Sequence, residues 1–231
     1  MGLILDGVLQ AFRLLLSGDG EVWRITLLSL QISATATLLA LAVGIPAGTL
    51  LALTRFPGRG LVVSLVNTGM GLPPVVVGLF VTILLWRNGL LGALELLYTP
   101  AAMVLAQLVI AAPIVTGLTL AAVQQIPERF RLQLLALGAS RVQMTWVLIK
   151  EARLPMLAAL MAGFGGVISE VGASMMVGGN IRGSTRVLTT ATVLETGKGN
   201  FDVAIALSVI LLVITFLVNW ALTWIQQRRR A

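Results

Sequence analysis

The sequence predicts an all-α integral membrane protein, with about five transmembrane helices and an N-terminal helix lying in the membrane interface. Three observations carry this reading. First, 58% of the 231 residues are hydrophobic and 11% are charged, with a mean hydropathy of +0.99; a soluble domain is about 25% charged. Second, five apolar runs each approach or exceed the roughly 20 residues needed to cross a bilayer as a helix. Third, residues 127–155 are polar and lie between two of those runs. They hold Glu128, Arg129, Arg131, Arg141, Lys150, Glu151 and Arg153, seven of the 25 formal charges.

Residues 3–16 place Leu5, Val8, Leu9, Phe12 and Leu16 at helical spacing. Fourteen residues are too few for a span, so residues 1–20 are expected to form an interfacial helix. A reading in which residues 3–16 also span would give six crossings. Residue Asp6 and the shortness of the apolar stretch argue against a cleavable signal. Ser17-Gly18-Asp19-Gly20 breaks the helix.

The first span is expected over residues 25–54. Thr26, Ser29, Ser33, Thr35 and Thr37 allow close helix approach there, and Gly44, Pro46 and Gly48 predict a kink. The second, residues 61–86, is interrupted by Gly69, Gly71, Pro73 and Pro74. Breaks at membrane depth are tolerated where they face protein or a water-lined path. The third, residues 100–123, contains Gln107 and Pro113. The fourth, residues 154–177, is rich in glycine and carries Ser169 and Glu170. A polar loop with a short helix over 187–195 leads to the fifth span, residues 203–225. No internal repeat is present. These spans form one domain over residues 21–226, with a polar loop at 124–153 and a basic tail at 227–231.

Charge sets the orientation. Arg55, Arg59, the five basic residues of the 127–155 hairpin and Arg228–Arg230 put ten basic residues on one side, against six on the other. Lys and Arg are retained on the cytoplasmic side. The hairpin and C-terminus are therefore expected inside and the N-terminus outside. The net charge of +7 is explained by this retention, without nucleic acid as a partner.

Several function classes are excluded by inventory. There is no Cys and no His, which removes thiol and imidazole chemistry and the commonest metal ligands; no metal site is expected. A lipid-phosphate enzyme would need a nucleophile or clustered acids. An ion-coupled secondary transporter, the reading kept from a different class, should show repeats and several intramembrane acids. A cation channel would need a ring of acids or a filter sequence. No Gly-x-x-x-x-Gly-Lys-Ser/Thr run is present, so no nucleotide site is expected.

Gly138-Ala139-Ser140 lies between two helical runs, where glycine supplies the backbone freedom of a sharp corner. With Leu154-Pro155, this hairpin resembles the EAA loop of ATP-binding-cassette importer permeases. Gly138 and Ala139 fit the Gly-Ala of that motif. Leu132-Gln133-Leu134 stand where Glu-Ala-Ala would be, with Glu128 one turn earlier. Residues 168–173, Ile-Ser-Glu-Val-Gly-Ala, and 180–186, Asn-Ile-Arg-Gly-Ser-Thr-Arg, resemble the gate helix and following loop of molybdate and tungstate permeases. Glu21-Val22-Trp23-Arg24 leading to Thr54–Gly58 adds a third likeness. The resemblance covers residues 20–226, and the runs 179–190 and 193–196 favour the tungstate branch over molybdate or sulfate.

The resemblance implies the type-I importer permease fold in a prokaryotic plasma or inner membrane. It implies a homodimer of permeases, two ATPases that bind ATP and Mg, and an extracytoplasmic oxyanion-binding protein. The chain itself would be no enzyme and hold no cofactor. Glu128, Arg131, Gly138, Ala139, Ser140 and Arg141 would couple to the ATPase. Ser169, Glu170, Val171, Gly172 and Ala173 would form the gate. Asn180, Arg182 and Arg186 would meet the binding protein. An intramembrane acid is costly and usually functional, so Glu170 reads as a gate residue or as a structural cap. The small residues 172 and 173 are expected to let two copies of this helix touch at a two-fold axis.

Overall fold

The structure, a computed structural model, describes residues 2–228, with the side chains at 2–4, 6, 14–16 and 228 left out. Residues 229–231 of the expected basic tail lie outside the described residues. Among those described there are helices and no strands. In chain order they are α1 (Gly2–Leu16), α2 (Gly20–Leu53), α3 (Arg59–Met70), α4 (Pro74–Leu85), α5 (Pro100–Gln124) and α6 (Glu128–Ala136). There follow α7 (Arg141–Glu151), α8 (Arg153–Ile168), α9 (Gly172–Gly178), α10 (Leu188–Gly197) and α11 (Phe201–Arg228).

The central pair is α2 and α5, which share the most extensive contact in the chain. Helix α2 buries Thr26, Ser29, Ser33, Ala36, Thr37, Ala40, Gly44 and Gly48 along one side. A Cβ at Gly48 would lie 2.5 Å from the Thr116 carbonyl oxygen, so only glycine lets the backbones meet there. The hydroxyls of Ser29, Thr37 and Thr116 donate to the carbonyls of Ile25, Ser33 and Ala112 one turn back, which satisfies them without water. Helix α2 continues through Pro46, the proline of the Gly44–Gly48 stretch.

Among the described residues, three helices are long and apolar enough to cross a membrane: Gly20–Leu53, Pro100–Gln124 and Phe201–Gln227. The second and fourth expected spans are each bent pairs, α3 with α4 by 103° and α8 with α9 by 58°. Interactions at the two ends of the bundle show that each pair crosses. At one end Arg59 Nε donates to Leu51 O at 2.8 Å and Gln226 Nε2 donates to Leu154 O at 3.5 Å. At the other, Tyr98 N–H donates to Val177 O at 2.8 Å, and Leu85 packs in one cluster with Ala102 and Met103. Thus α3 starts where α2 ends, α4 finishes beside the start of α5, and α8 to α9 runs the whole height between. Five crossings result.

Helix α2 has 34 residues, about 51 Å at 1.5 Å per residue, against about 30 Å of hydrocarbon. The carboxylate of Asp19 accepts from Glu21 N–H and Val22 N–H at 3.0 Å, capping α2 beyond the span expected from residue 25. Helix α1 packs along the first half of α11. Gly7 faces Ile205, and Ala11 is buried with Val22, Ile25, Ala206 and Ile210, while Leu5, Leu9 and Phe12 stay exposed.

Candidate functional site

The polar hairpin is built as expected: two helices joined at 137–140. The carbonyls of Leu135 and Leu134 accept from Gly138 and Ala139 N–H, both at 3.0 Å, which closes the C-terminus of α6. Gly138 takes φ +83°, a conformation that penalises any Cβ. Ser140 then caps α7. Its hydroxyl accepts from Gln143 N–H at 3.3 Å, and Gln143 Oε1 accepts from Ser140 N–H at 2.8 Å.

The hairpin residues nominated from sequence separate into two groups. Arg131 is an anchor: its Nη2 donates to Val123 O at 2.9 Å, in the last turn of α5, where a cation suits the helix dipole. Glu128, Gly138, Ser140 and Arg141 are exposed, and Ala139 is half-buried. What sequence reasoning missed is the apolar surface around them. Leu132, Leu135, Leu137, Val142 and Trp146 are exposed at the polar end of the bundle, Leu137 by 83% and Val142 by 80%. Nothing in their spacing separated them from core residues. Lys150 Nζ sits 5.3 Å from the Trp146 ring centroid.

Between α2, α6 and the 54–59 turn lies a cleft of about 800 Å³, lined by Arg55, Arg59, Glu128 and Arg131 among others.

The two helix breaks meet inside the bundle. Pro73-Pro74 ends α3, because proline has no N–H to donate and steers the preceding residue out of helix. The α8–α9 break has a different construction. Ser169 Oγ donates to Gly165 O at 2.8 Å, and Glu170 is 6% exposed. Its Oε1 accepts from Ala173 N–H at 2.7 Å, capping α9. Thr189 Oγ1 donates to Glu170 O at 3.0 Å and ties α10 to the break.

Gly172 and Ala173 are placed differently from the sequence expectation. A Cβ at Gly172 would lie 2.7 Å from Val75 Cγ2, and Ala173 is fully buried against Gly78. A Cβ at Gly78 would come within 2.7 Å of Ala173 Cα. These small residues bring α4 and α9 of one chain together; Ala173 is used up in that contact, while Gly172 stays half-exposed. Gln107 joins the same region, its Nε2 3.5 Å from Ser174 Oγ.

At the opposite end of the bundle from the hairpin, the loop of residues 179–187 docks on the N-terminus of α2. Arg182 Nε donates to Glu21 Oε1 at 2.9 Å and its Nη2 to Oε2, a bidentate pair. This bond holds the Arg182 guanidinium above its ordinary pKa. Arg186 Nη1 reaches Glu21 Oε1 at 3.4 Å, and Arg24 donates to Gly183 O. These groups line a cavity of about 250 Å³. Asn180, with φ +50°, turns inward, and its Nδ2 donates to Thr190 O at 3.4 Å. Thr185 staples the loop by donating to Gly178 O and accepting from Ile181 N–H. Nearby, Asn200 and Lys198 hold the Glu195 carboxyl below its usual range. The sequence reading quoted Glu21, Thr185 and Thr189 within motifs but gave them no role; their partners lie 161, 7 and 19 residues away.

Among the described residues no group of three His, Cys, Asp or Glu is placed to hold a metal ion.

Comparisons agree with this architecture. A chain of Haloferax volcanii named as a probable anion ABC transporter permease protein is 42% identical over 84% of this chain and 86% of its own length. The tungstate uptake system permease protein TupB of Peptoclostridium acidaminophilum is 38% identical over 98% of this chain and all of its own. The molybdenum transport system permease protein ModB of Escherichia coli is 28% identical over 90% and 96%. Among solved structures, an inward-facing MetNI methionine ABC transporter chain superposes with a TM-score of 0.72 at 21% identity, over 90% of this chain and 94% of its own. That likeness gives the fold, the all-helical fold of type-I importer permeases. Residues 44–231 match the model of a binding-protein-dependent transport system inner membrane component, and the chain belongs to that family of membrane permease subunits, whose ATP hydrolysis resides in separate ATPase subunits.

Proposed function

We propose that this chain is the permease subunit of an ATP-binding-cassette importer for tungstate, working as a homodimer with two ATPases and an extracytoplasmic oxyanion-binding protein. The observation that carries the substrate is the full-length likeness to a tungstate permease at 38% identity, against 28% for a molybdenum permease. Molybdate is the second reading, since the two anions share charge and shape.

The geometry supports a division of labour. The hairpin 128–151 offers the ATPase an apolar surface outside the bilayer, with Glu128 and Arg141 beside it. Exposed large apolar groups in water mark a partner site. Its corner is rigid, capped on both sides, so it can pass on a push instead of absorbing it. Arg182 and Arg186 at the outer end would receive acidic groups of the binding protein. The α8–α9 break would serve as the gate, with Glu170 holding its hinge. ATP closure would draw two hairpins together and open the outer ends, a bistable rearrangement of packed bundles.

The reading is tested by reconstituting the permease with its ATPase and binding protein and measuring ATP-dependent uptake of radiolabelled tungstate, with molybdate and sulfate as competitors. Tungstate uptake suppressed only weakly by molybdate is expected. Equal or stronger preference for molybdate would overturn the tungstate assignment. The corner is tested by Gly138→Val. At φ +83° a β-branched residue costs about 1–2 kcal/mol locally. Uptake should fall while the spans stay folded, and wild-type uptake would exclude the corner from coupling.

A further inference from the structure

We propose that Asn67 and Ser64 on α3 form a neutral donor step that contacts the oxyanion in transit, halfway through the membrane. This rests on the oxyanion-importer reading above.

Depth comes first. Gly69 packs against Pro113, and Gly117 packs against Met70. Pro113 lies 13 residues from one end of α5 and 11 from the other, about 20 and 16 Å at 1.5 Å per residue. The C-terminal half of α3 is therefore at mid-height of the bundle.

Polarity comes second. Ser64, Asn67, Thr68 and Gly71 fall at i, i+3, i+4 and i+7, one stripe of the helix. The positions turned toward α5, at 63, 66 and 69, are half-buried, whereas the stripe is exposed along its whole length. Helix α3 buries no residue at all. In hydrocarbon, an exposed amide has no partner and costs several kcal/mol. Lipid is therefore an unfavourable neighbour for the stripe, and the proposal places it against water.

Hydrogen bonding then selects the donors. Thr68 Oγ1 already donates to Ser64 O at 2.9 Å. Ser169, exposed at the neighbouring break, donates to Gly165 O. Both hydroxyls offer only lone pairs, which repel an anion. The Asn67 amide and Ser64 hydroxyl have no protein partner among the described residues and are free to donate. The breaks themselves meet here, through Val75 and Gly172, so the step lies where the two bent spans touch. Neutral donors suit this place: a cation at mid-membrane would bind a dianion too tightly to release it.

The experiment uses the complete transporter in proteoliposomes, with radiolabelled tungstate. Asn67→Leu removes the donors while keeping the number of side-chain heavy atoms and should cut the uptake rate several-fold. Asn67→Asp adds a negative charge to the path and should cut it roughly tenfold or more. Wild-type uptake in both variants would overturn the proposal. Because this chain has no cysteine, Asn67→Cys provides a second measurement that does not depend on transport. A charged, membrane-impermeant thiosulfonate should modify it in the assembled complex. Modification by a lipid-soluble maleimide alone would put residue 67 against lipid and overturn the proposal, as would efficient disulfide formation between two copies without reagent access. Wild-type complexes that carry no oxyanion would overturn the functional reading instead, and the thiol assay would still decide the placement of Asn67.

Discussion

The two broken spans reach similar ends by opposite means. The α3–α4 pair is broken by covalent structure: Pro73 and Pro74 withhold donors and force a 103° bend. No residue of α3 is fully buried, and its polar stripe stays exposed beside the face that packs on α5. The α8–α9 pair bends by 58° without any proline. Its freed groups are satisfied by side chains, Glu170 on Ala173 N–H and Thr189 on Glu170 O. A proline break is permanent, whereas a break closed by side-chain hydrogen bonds can open and re-form. The second is the better hinge, and the first is the better fixed wall.

The comparison is broken most severely where the pairs touch. Gly78→Leu drives a side chain into the Ala173 backbone and should destabilise by about 3 kcal/mol. Gly60→Ala on α3, where a Cβ meets open space, should change stability by about 0.5 kcal/mol and in the stabilising direction. Thermal unfolding of the purified complex in detergent separates the two. Similar melting for both would mean that α4 and α9 are not in tight contact.

Next is the cap. Glu170→Ala leaves the start of α9 unsatisfied and should cost about 2 kcal/mol, while Glu170→Gln keeps an accepting oxygen and should cost less. Equal losses would show that the carboxylate acts in some way other than as a cap. Thr189→Val removes one hydrogen bond and should cost about 1 kcal/mol, with a changed basal ATPase rate if α10 reports to the break. An unchanged melt and an unchanged rate would separate the outer loop from the hinge.

The smallest expected effect on stability is at Arg182. Its pair with Glu21 is largely exposed, so Arg182→Ala should leave the melting temperature within error. The same variant should weaken binding-protein association, more so at low salt. Salt-independent affinity would remove Arg182 from that contact.

Much of this was legible along the chain. The spans, the interruption at Gly69–Pro74, the hairpin corner at Gly138 and the short helix before residue 200 are local matters of hydropathy, proline and glycine. The α8–α9 break was not, because glycine is common in membrane helices and Glu170 had two readings. The inward turn of Asn180 and the anchoring role of Arg131 were also hidden. Each depends on which carbonyl happens to lie within reach, Thr190 O or Val123 O, and residue type does not report that.

By itself, the sequence determined that the chain is a membrane protein, which side is basic, roughly where its spans lie, and that its chemistry excludes thiols and imidazoles. These follow from transfer free energies and backbone sterics, which act residue by residue. Only the tertiary structure decided that Gly172 and Ala173 pack within one chain, that Glu21 gathers Arg182 and Arg186, and that the chain's own helices leave one polar stripe of α3 exposed. Those outcomes depend on distances between residues far apart in sequence, set by how closely α2, α4, α5 and α9 approach one another.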